Sequence, residues 1–120
     1  MSSQAKTRQV GNVAIVDLGG KITLGEGSGM VRAAIKALVD AGHKNILLNL
    51  KDVTYLDSAG LGELVGSYAT ISNKGGQVKL LHAQGKVKDL LAVTKLYTVF
   101  VTFDDEAEAL RSFAGDAAGA

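Results

Sequence analysis

Residues 45–62, with the sequence NILLNLKDVTYLDSAGLG, decide the fold of this chain. The first six of them form an apolar run that is typical of a strand buried on both faces of a sheet. The last six, Asp57–Gly62, place a serine ahead of small residues, and a helix-like run follows at residues 63–74. We therefore expect Ser58 at a strand-to-helix junction. There the first helical N–H groups lack partners within the helix, and the helix dipole favours negative charge.

A hairpin and a helix are predicted before this segment. Residues 7–18 read as two short strands joined by a Gly11-Asn12 turn, and residues 21–24 continue or follow the second strand. A helix is expected over about residues 28–41. Gly42 then stands where a left-handed helix cap is expected.

Two further strands and two further helices are predicted after residue 74. A pair of glycines ends the helix, a strand follows at residues 77–81, and a helix is expected at residues 86–94. A short strand at residues 99–102 precedes a last helix, which begins at residues 104–106 and ends near Phe113. The side chains expected to face the core are Val31, Ala34, Ile35 and Leu38 in the first helix, Leu61, Leu64, Val65, Tyr68 and Ile71 in the second, and Val87, Leu90, Leu91 and Thr94 in the third.

The alternation of strands and helices predicts an α/β fold with a mixed, mostly parallel β-sheet. Helices connect successive strands after the hairpin, as in right-handed crossover connections. The early hairpin adds one antiparallel pair, and about four helices are expected. The length of 120 residues fits one domain. We assign residues 7–113 to this domain and expect flexible ends at residues 1–6 and 114–120.

The composition argues against several classes of site. Thirteen basic and twelve acidic residues give a net charge of +1, so neither a broad nucleic-acid surface nor a polybasic membrane patch is indicated. No apolar run approaches the roughly 20 residues that span a bilayer, and no signal peptide is evident, so a cytoplasmic protein is expected. Cysteine is absent and histidine occurs twice, so we expect no metal site, and no cofactor is indicated.

Ser58 allows three interpretations. Asp57 or Ser58 can cap the helix, because either side chain can accept a hydrogen bond from a free N–H group. Ser58 can also be a nucleophile, since residues 56–60 half resemble the Gly-x-Ser-x-Gly elbow of hydrolases. Leu56 replaces the first glycine of that elbow and His82 is the only histidine downstream, so a hydrolase is disfavoured and no catalytic residue is assigned. The third interpretation is a hydroxyl that accepts a phosphate.

A strip of small residues follows along the second helix, at Gly62, Gly66 and Ala69. Glycine within a helix costs about 1 kcal/mol relative to alanine, so the strip needs a physical reason. It either offers a partner a flat surface or packs closely against the sheet or a neighbouring helix. The sequence leaves both alternatives open.

With this order of elements, the chain resembles a STAS domain, and in particular the bacterial anti-sigma factor antagonists. The resemblance rests on residues 49–62, 75–80 and 90–100, and it extends over about residues 8–113. The hexapeptide Asp57–Gly62 is specific because it lies between a strand and a helix. The fold that this resemblance implies is a sheet with helices mainly on one face.

The resemblance also implies a regulatory function without catalysis. Members of this type bind an anti-sigma factor, which is a GHKL-type serine kinase, and so release the sigma factor that it held. The kinase phosphorylates the serine aligned with Ser58, and a PP2C-type phosphatase removes the phosphate. Asp57, Gly60, Leu61 and Gly62 then belong with Ser58 to the partner-binding surface.

One position departs from the family pattern. Many antagonists carry an aspartate near the phosphoacceptor, in the turn where this chain has Thr23. We include Thr23 in the expected partner-binding surface because of this alignment. An adaptor or scaffold subunit that phosphorylation does not control is the alternative function, and the oligomeric state is left open.

Overall fold

A five-stranded sheet with four α-helices forms the described part of the molecule. The computed structural model describes the backbone of residues 3–118 and the side chains of residues 3–113. The elements in chain order are β1 Gln4–Val10, β2 Val13–Ile22, α1 Ser28–Asp40, β3 Asn45–Leu56, α2 Ser58–Asn73, β4 Gln77–Leu81, α3 Gly85–Val93, a 3-10 turn at Leu96–Thr98, β5 Thr102–Phe103 and α4 Glu106–Ala118.

The strands lie in the order β1-β2-β3-β4-β5. The hairpin strands β1 and β2 are antiparallel, whereas β2–β3, β3–β4 and β4–β5 are parallel pairs. The predicted α/β fold with a mixed, mostly parallel sheet and an N-terminal hairpin is therefore confirmed.

Side chains of β3 alternate between two cores, as the two-residue period of a strand requires. Ile46 and Leu48 belong to the larger core, which side chains of α1, α2 and α3 complete on one face of the sheet. Leu47 belongs to a smaller core on the opposite face, together with Ala109 and Phe113 of α4. Three helices on one face and one on the other confirm the expectation that the helices lie mainly on one face.

Strand β3 is longer than predicted, and the last strand lies elsewhere. The predicted strand at residues 45–50 continues to Leu56 because β2 pairs with it as far as the Ile22–Leu56 partners. The predicted strand at 99–102 is wrong, because the N–H groups of Val99 and Phe100 bond to the Leu96 carbonyl in a tight turn. The strand that joins β4 is Thr102–Phe103.

Two of the predicted core positions are wrong. Val65 is 37% exposed, because one helical step of about 100° carries it away from Leu64, which is fully buried. Thr94 is exposed, and its hydroxyl donates to the Leu90 carbonyl at the end of α3. The remaining predicted positions are buried or pack against the core.

An ionic cluster that the sequence did not reveal connects the hairpin to α4. Arg8 Nε donates to Asp17 Oδ2 at 2.7 Å, and Arg8 Nη2 donates to Glu106 Oε1 at 2.6 Å. The Arg8 guanidinium holds the pKa values of both carboxyl groups below their ordinary values. The cluster therefore joins the start of α4 to the edge of the sheet far from Ser58.

The predicted flexible ends lie partly outside the described residues, at positions 1–2 and 119–120. Inside the described range, residues 4–6 belong to the sheet, because they pair with residues 17–19 of β2, and α4 continues to Ala118. Over residues 3–118, no helix has both the length and the apolar character needed to cross a bilayer.

Candidate functional site

Ser58 lies at the carboxyl end of β3, where a single residue separates the strand from α2. Leu56 ends β3, Asp57 has an extended backbone conformation, and Ser58 is the first residue of α2. The Ser58 side chain is exposed. The serine therefore stands on the first turn of the helix at a strand-to-helix junction, as the sequence predicted.

Asp57 is the residue that caps α2. Its Oδ1 atom accepts a hydrogen bond from the Gly60 N–H at 2.9 Å, and its Oδ2 atom accepts one from the Leu24 N–H at 3.2 Å. Hydrogen bonds from Gly60, and then from Leu24, hold the pKa of the Asp57 carboxyl below its ordinary value. Because Asp57 caps the helix and also binds the β2–α1 loop, Ser58 is not needed as a cap.

Thr23 lies in a tight turn next to this carboxylate. The Thr23 N–H donates to the Glu26 carbonyl at 2.5 Å, and the Glu26 N–H returns a bond to the Thr23 carbonyl at 3.0 Å. The Thr23 hydroxyl also donates to the Glu26 carbonyl, at 3.2 Å. Since Leu24 follows Thr23 and bonds to Asp57, the structure brings the Thr23 turn to the Ser58 end of the molecule.

Gly60 sets the distance between α2 and β2. It is buried, and a Cβ atom at this position would stand 2.0 Å from the carbonyl oxygen of Ile22. No other residue type allows the first turn of α2 to approach the end of β2 so closely. The run of small residues after Ser58 was the sequence signal for this contact.

Leu61 and Gly62 occupy different environments. Leu61 is half-buried and packs against the larger core, whereas Gly62 is exposed. A Cβ atom at Gly62 or Gly66 would meet no heavy atom within 4 Å, and Ala69 is also exposed. The small-residue strip therefore lies on the outer surface of α2, which favours the interpretation as a flat surface over close packing.

His82 does not join Ser58 in a recognisable catalytic pair. Its backbone is left-handed, with φ of 59°, and its N–H donates to the Phe103 carbonyl at the far side of β4. Among the described residues, no group of three or more His, Asp or Glu side chains is placed to hold a metal ion.

Local sequence patterns do not single out Leu24, because residues 21–24 read as the continuation of a strand or as a segment after it. Its side chain is 80% exposed on the turn between β2 and α1. The only signal in the sequence was its position between a strand and a run rich in glycine. Its contact with Asp57 joins residues 33 positions apart and could not be read from local patterns.

Replacing Asp57 with alanine is expected to loosen two backbone segments at once. The Gly60 and Leu24 amides would lose their carboxylate acceptor, so both should exchange with solvent faster and the melting temperature should fall. Amide hydrogen exchange resolved at single residues measures this. Asp89→Ala, which removes an exposed carboxylate from α3, serves as the control. Unchanged exchange at Leu24 in the Asp57 variant would show that the carboxylate does not hold the loop.

The chain is similar to known proteins in both sequence and structure. The family model of the STAS domain matches residues 4–109. The anti-sigma F factor antagonist of Paenibacillus polymyxa is 31% identical over 111 residues, which cover 92% of this chain and 94% of that protein. The relation therefore extends over nearly the whole of both chains.

Solved structures show the same fold. An anti-sigma factor antagonist from Mycobacterium paratuberculosis superposes with a TM-score of 0.84 at 20% identity, covering 94% of this chain and 95% of that one. The Bacillus cell fate determinant SpoIIAA in its phosphorylated form has a TM-score of 0.71 at 19% identity, covering 91% and 98%.

Proposed function

This chain belongs to the STAS domain family, and from that premise we propose that it is an anti-sigma factor antagonist controlled by phosphorylation of Ser58. In this proposal the unphosphorylated protein binds an anti-sigma factor of the GHKL serine kinase type and so releases a sigma factor. The same kinase phosphorylates Ser58, and a PP2C-type phosphatase restores the hydroxyl. The domain of residues 7–113 is the binding module, and it works in the cytoplasm without catalytic activity of its own.

The observation that carries this proposal is the exposed Ser58 hydroxyl on the first turn of a helix that Asp57 already caps. Because the neighbouring Asp57 caps the helix, the start of α2 does not require a hydrogen bond to the Ser58 side chain. A kinase can then modify the hydroxyl without removing an interaction that the fold requires.

A phosphate is physically compatible with this position. It would add about −1.5 to −2 charges and three acceptor oxygens on the first turn of α2, at the positive end of its dipole. The fold should therefore tolerate the modification. A partner surface that packs against the neutral hydroxyl and the Asp57 carboxylate would instead have to accept an added negative charge in a dehydrated contact.

The partner-binding surface that we propose includes Thr23, Asp57 and Ser58 together with residues 60–62. A partner can approach Gly62 closely, because no heavy atom lies within 4 Å of the place that a Cβ atom would occupy there. The exposed residues Gly66 and Ala69 extend this accessible face of α2. Gly60 contributes indirectly, because it is buried and sets the position of the helix start.

Transfer of phosphate to Ser58 tests the proposal. The probe is the GHKL-type serine kinase encoded nearest to this gene, incubated with ATP and each protein variant. Intact-mass analysis is expected to find one added phosphate on the wild type and on Ser72→Ala, which removes an exposed hydroxyl from the other end of α2. Ser58→Ala should gain none. No phosphate on the wild type would favour the adaptor alternative, and a phosphate on Ser58→Ala would place the switch elsewhere.

A further inference from the structure

Leu24 is an exposed leucine at the Ser58 end of the molecule. Its side chain is 80% exposed, whereas most leucines of the described chain are buried in one of the two cores. A single exposed apolar side chain is common on protein surfaces and has no meaning alone. The importance of Leu24 depends on whether its backbone is held in place and on how near the turn lies to Ser58.

The backbone around Leu24 is held on both sides. Its own N–H donates to Asp57 Oδ2 at 3.2 Å, and the Thr23–Glu26 turn is closed by two backbone hydrogen bonds of 2.5 and 3.0 Å. A side chain on such a turn is already positioned before a partner arrives. Little backbone entropy is then lost on binding, which is the property of an anchor residue.

The held turn also lies beside the phosphoacceptor. Asp57, which binds the Leu24 N–H, is the residue directly before Ser58, and the close contact of Gly60 with Ile22 keeps the start of α2 against the end of β2. Because the Leu24 side chain is exposed, a partner that covers Ser58 can reach it without moving the chain.

Leu24 gives this loop an exposed apolar side chain. The side chain at position 23 is a threonine, and its hydroxyl is bound to the Glu26 carbonyl within the turn. The loop thus presents the Leu24 side chain, and not the Thr23 hydroxyl, to a partner. An apolar depression on the partner complements this side chain.

We propose that Leu24 is an apolar anchor that inserts into a hydrophobic depression on the anti-sigma factor kinase and helps to select that partner. The inference rests on the proposed function, since it names the chemistry by which the same surface recognises its partner. Phosphorylation of Ser58 would then act next to a contact that supplies affinity through burial of apolar surface rather than through charge.

Calorimetric titration of the GHKL-type kinase encoded nearest to this gene tests the proposal with four variants. Burial of most of a leucine side chain predicts that Leu24→Ala weakens binding by roughly ten- to a hundredfold. Leu24→Gln should lose about as much, whereas Leu24→Met, of similar shape but apolar, should stay close to the wild type. Val10→Ala removes an exposed apolar side chain from the hairpin at the other end of β2 and is expected to have no effect.

These variants separate the inference from the proposed function. The Leu24 substitutions retain the backbone N–H that Asp57 binds, so they should fold like the wild type, which urea unfolding can check. If Leu24→Ala and Leu24→Gln bind with wild-type affinity while phosphorylation of Ser58 still weakens binding, Leu24 is not an anchor. The phosphorylation switch would be unaffected by that result. Equal losses in Leu24→Met and Leu24→Gln would overturn the anchor too. Failure of the wild type to bind the kinase would overturn both.

Discussion

Gly60→Ala is expected to destabilise the protein by about 3 kcal/mol, near the upper end of the usual cost of an overpacked site. The added Cβ atom would stand 2.0 Å from the carbonyl oxygen of Ile22, which is a backbone atom and has no side-chain rotamer to change. Either α2 or the end of β2 must move. That movement would also strain the hydrogen bonds that the Gly60 and Leu24 N–H groups donate to the Asp57 carboxylate.

Gly66→Ala provides the matched control on the same helix. Its Cβ atom would meet nothing within 4 Å, so the substitution should stabilise the protein by about 1 kcal/mol through helix propensity alone. Urea unfolding of both variants measures the two free energies of unfolding. Equal effects of the two substitutions would contradict the close contact between Gly60 and Ile22.

Phosphorylation of Ser58 is expected to weaken binding to the anti-sigma factor kinase about a hundredfold, which corresponds to ~2.8 kcal/mol. The cause is a doubly negative group placed in the contact next to the Asp57 carboxylate. Ser58→Asp adds a single charge and should weaken binding by at least about tenfold. Ser58→Ala should bind like the wild type, because it keeps the surface neutral.

Calorimetric titration of each form with the purified kinase measures these affinities. Ser72→Asp adds the same charge to an exposed position near the opposite end of α2 and is expected to bind like the wild type. Urea unfolding should show that Ser58→Asp is folded, since an acid at a helix N-terminus interacts favourably with the dipole. Equal binding by the wild type, Ser58→Asp and the phosphorylated protein would exclude the switch.

Local sequence patterns predicted the strands and helices that depend mainly on their own residues. The apolar run around Leu47 and Leu48 identified the central strand, and the position of Ser58 at a strand-to-helix junction followed from the residues on either side. The bounds of the strand at residues 77–81 were also correct. Such features depend on side-chain periodicity and turn propensities, which act over a few residues.

Patterns of this kind did not predict pairing between distant segments. The extension of β3 to Leu56 depends on β2, which supplies hydrogen-bonding partners as far as Ile22. The short β5 depends on β4, because the amides of Leu80 in β4 and of His82 directly after it donate to the Val101 and Phe103 carbonyls. Strand ends are set by such partners and not by propensity alone.

By itself, the sequence determined the α/β class of the chain, the hairpin at its start and the junction that carries Ser58, because these follow from local periodicity and from small and polar residues at turns. Only the tertiary structure decided that Asp57 is the cap, that Gly60 must lack a side chain, and that the loop of Thr23 and Leu24 lies beside the serine. These features depend on β2 and β3 ending side by side. That proximity arises when parallel strands pair, and no short stretch of sequence contains it.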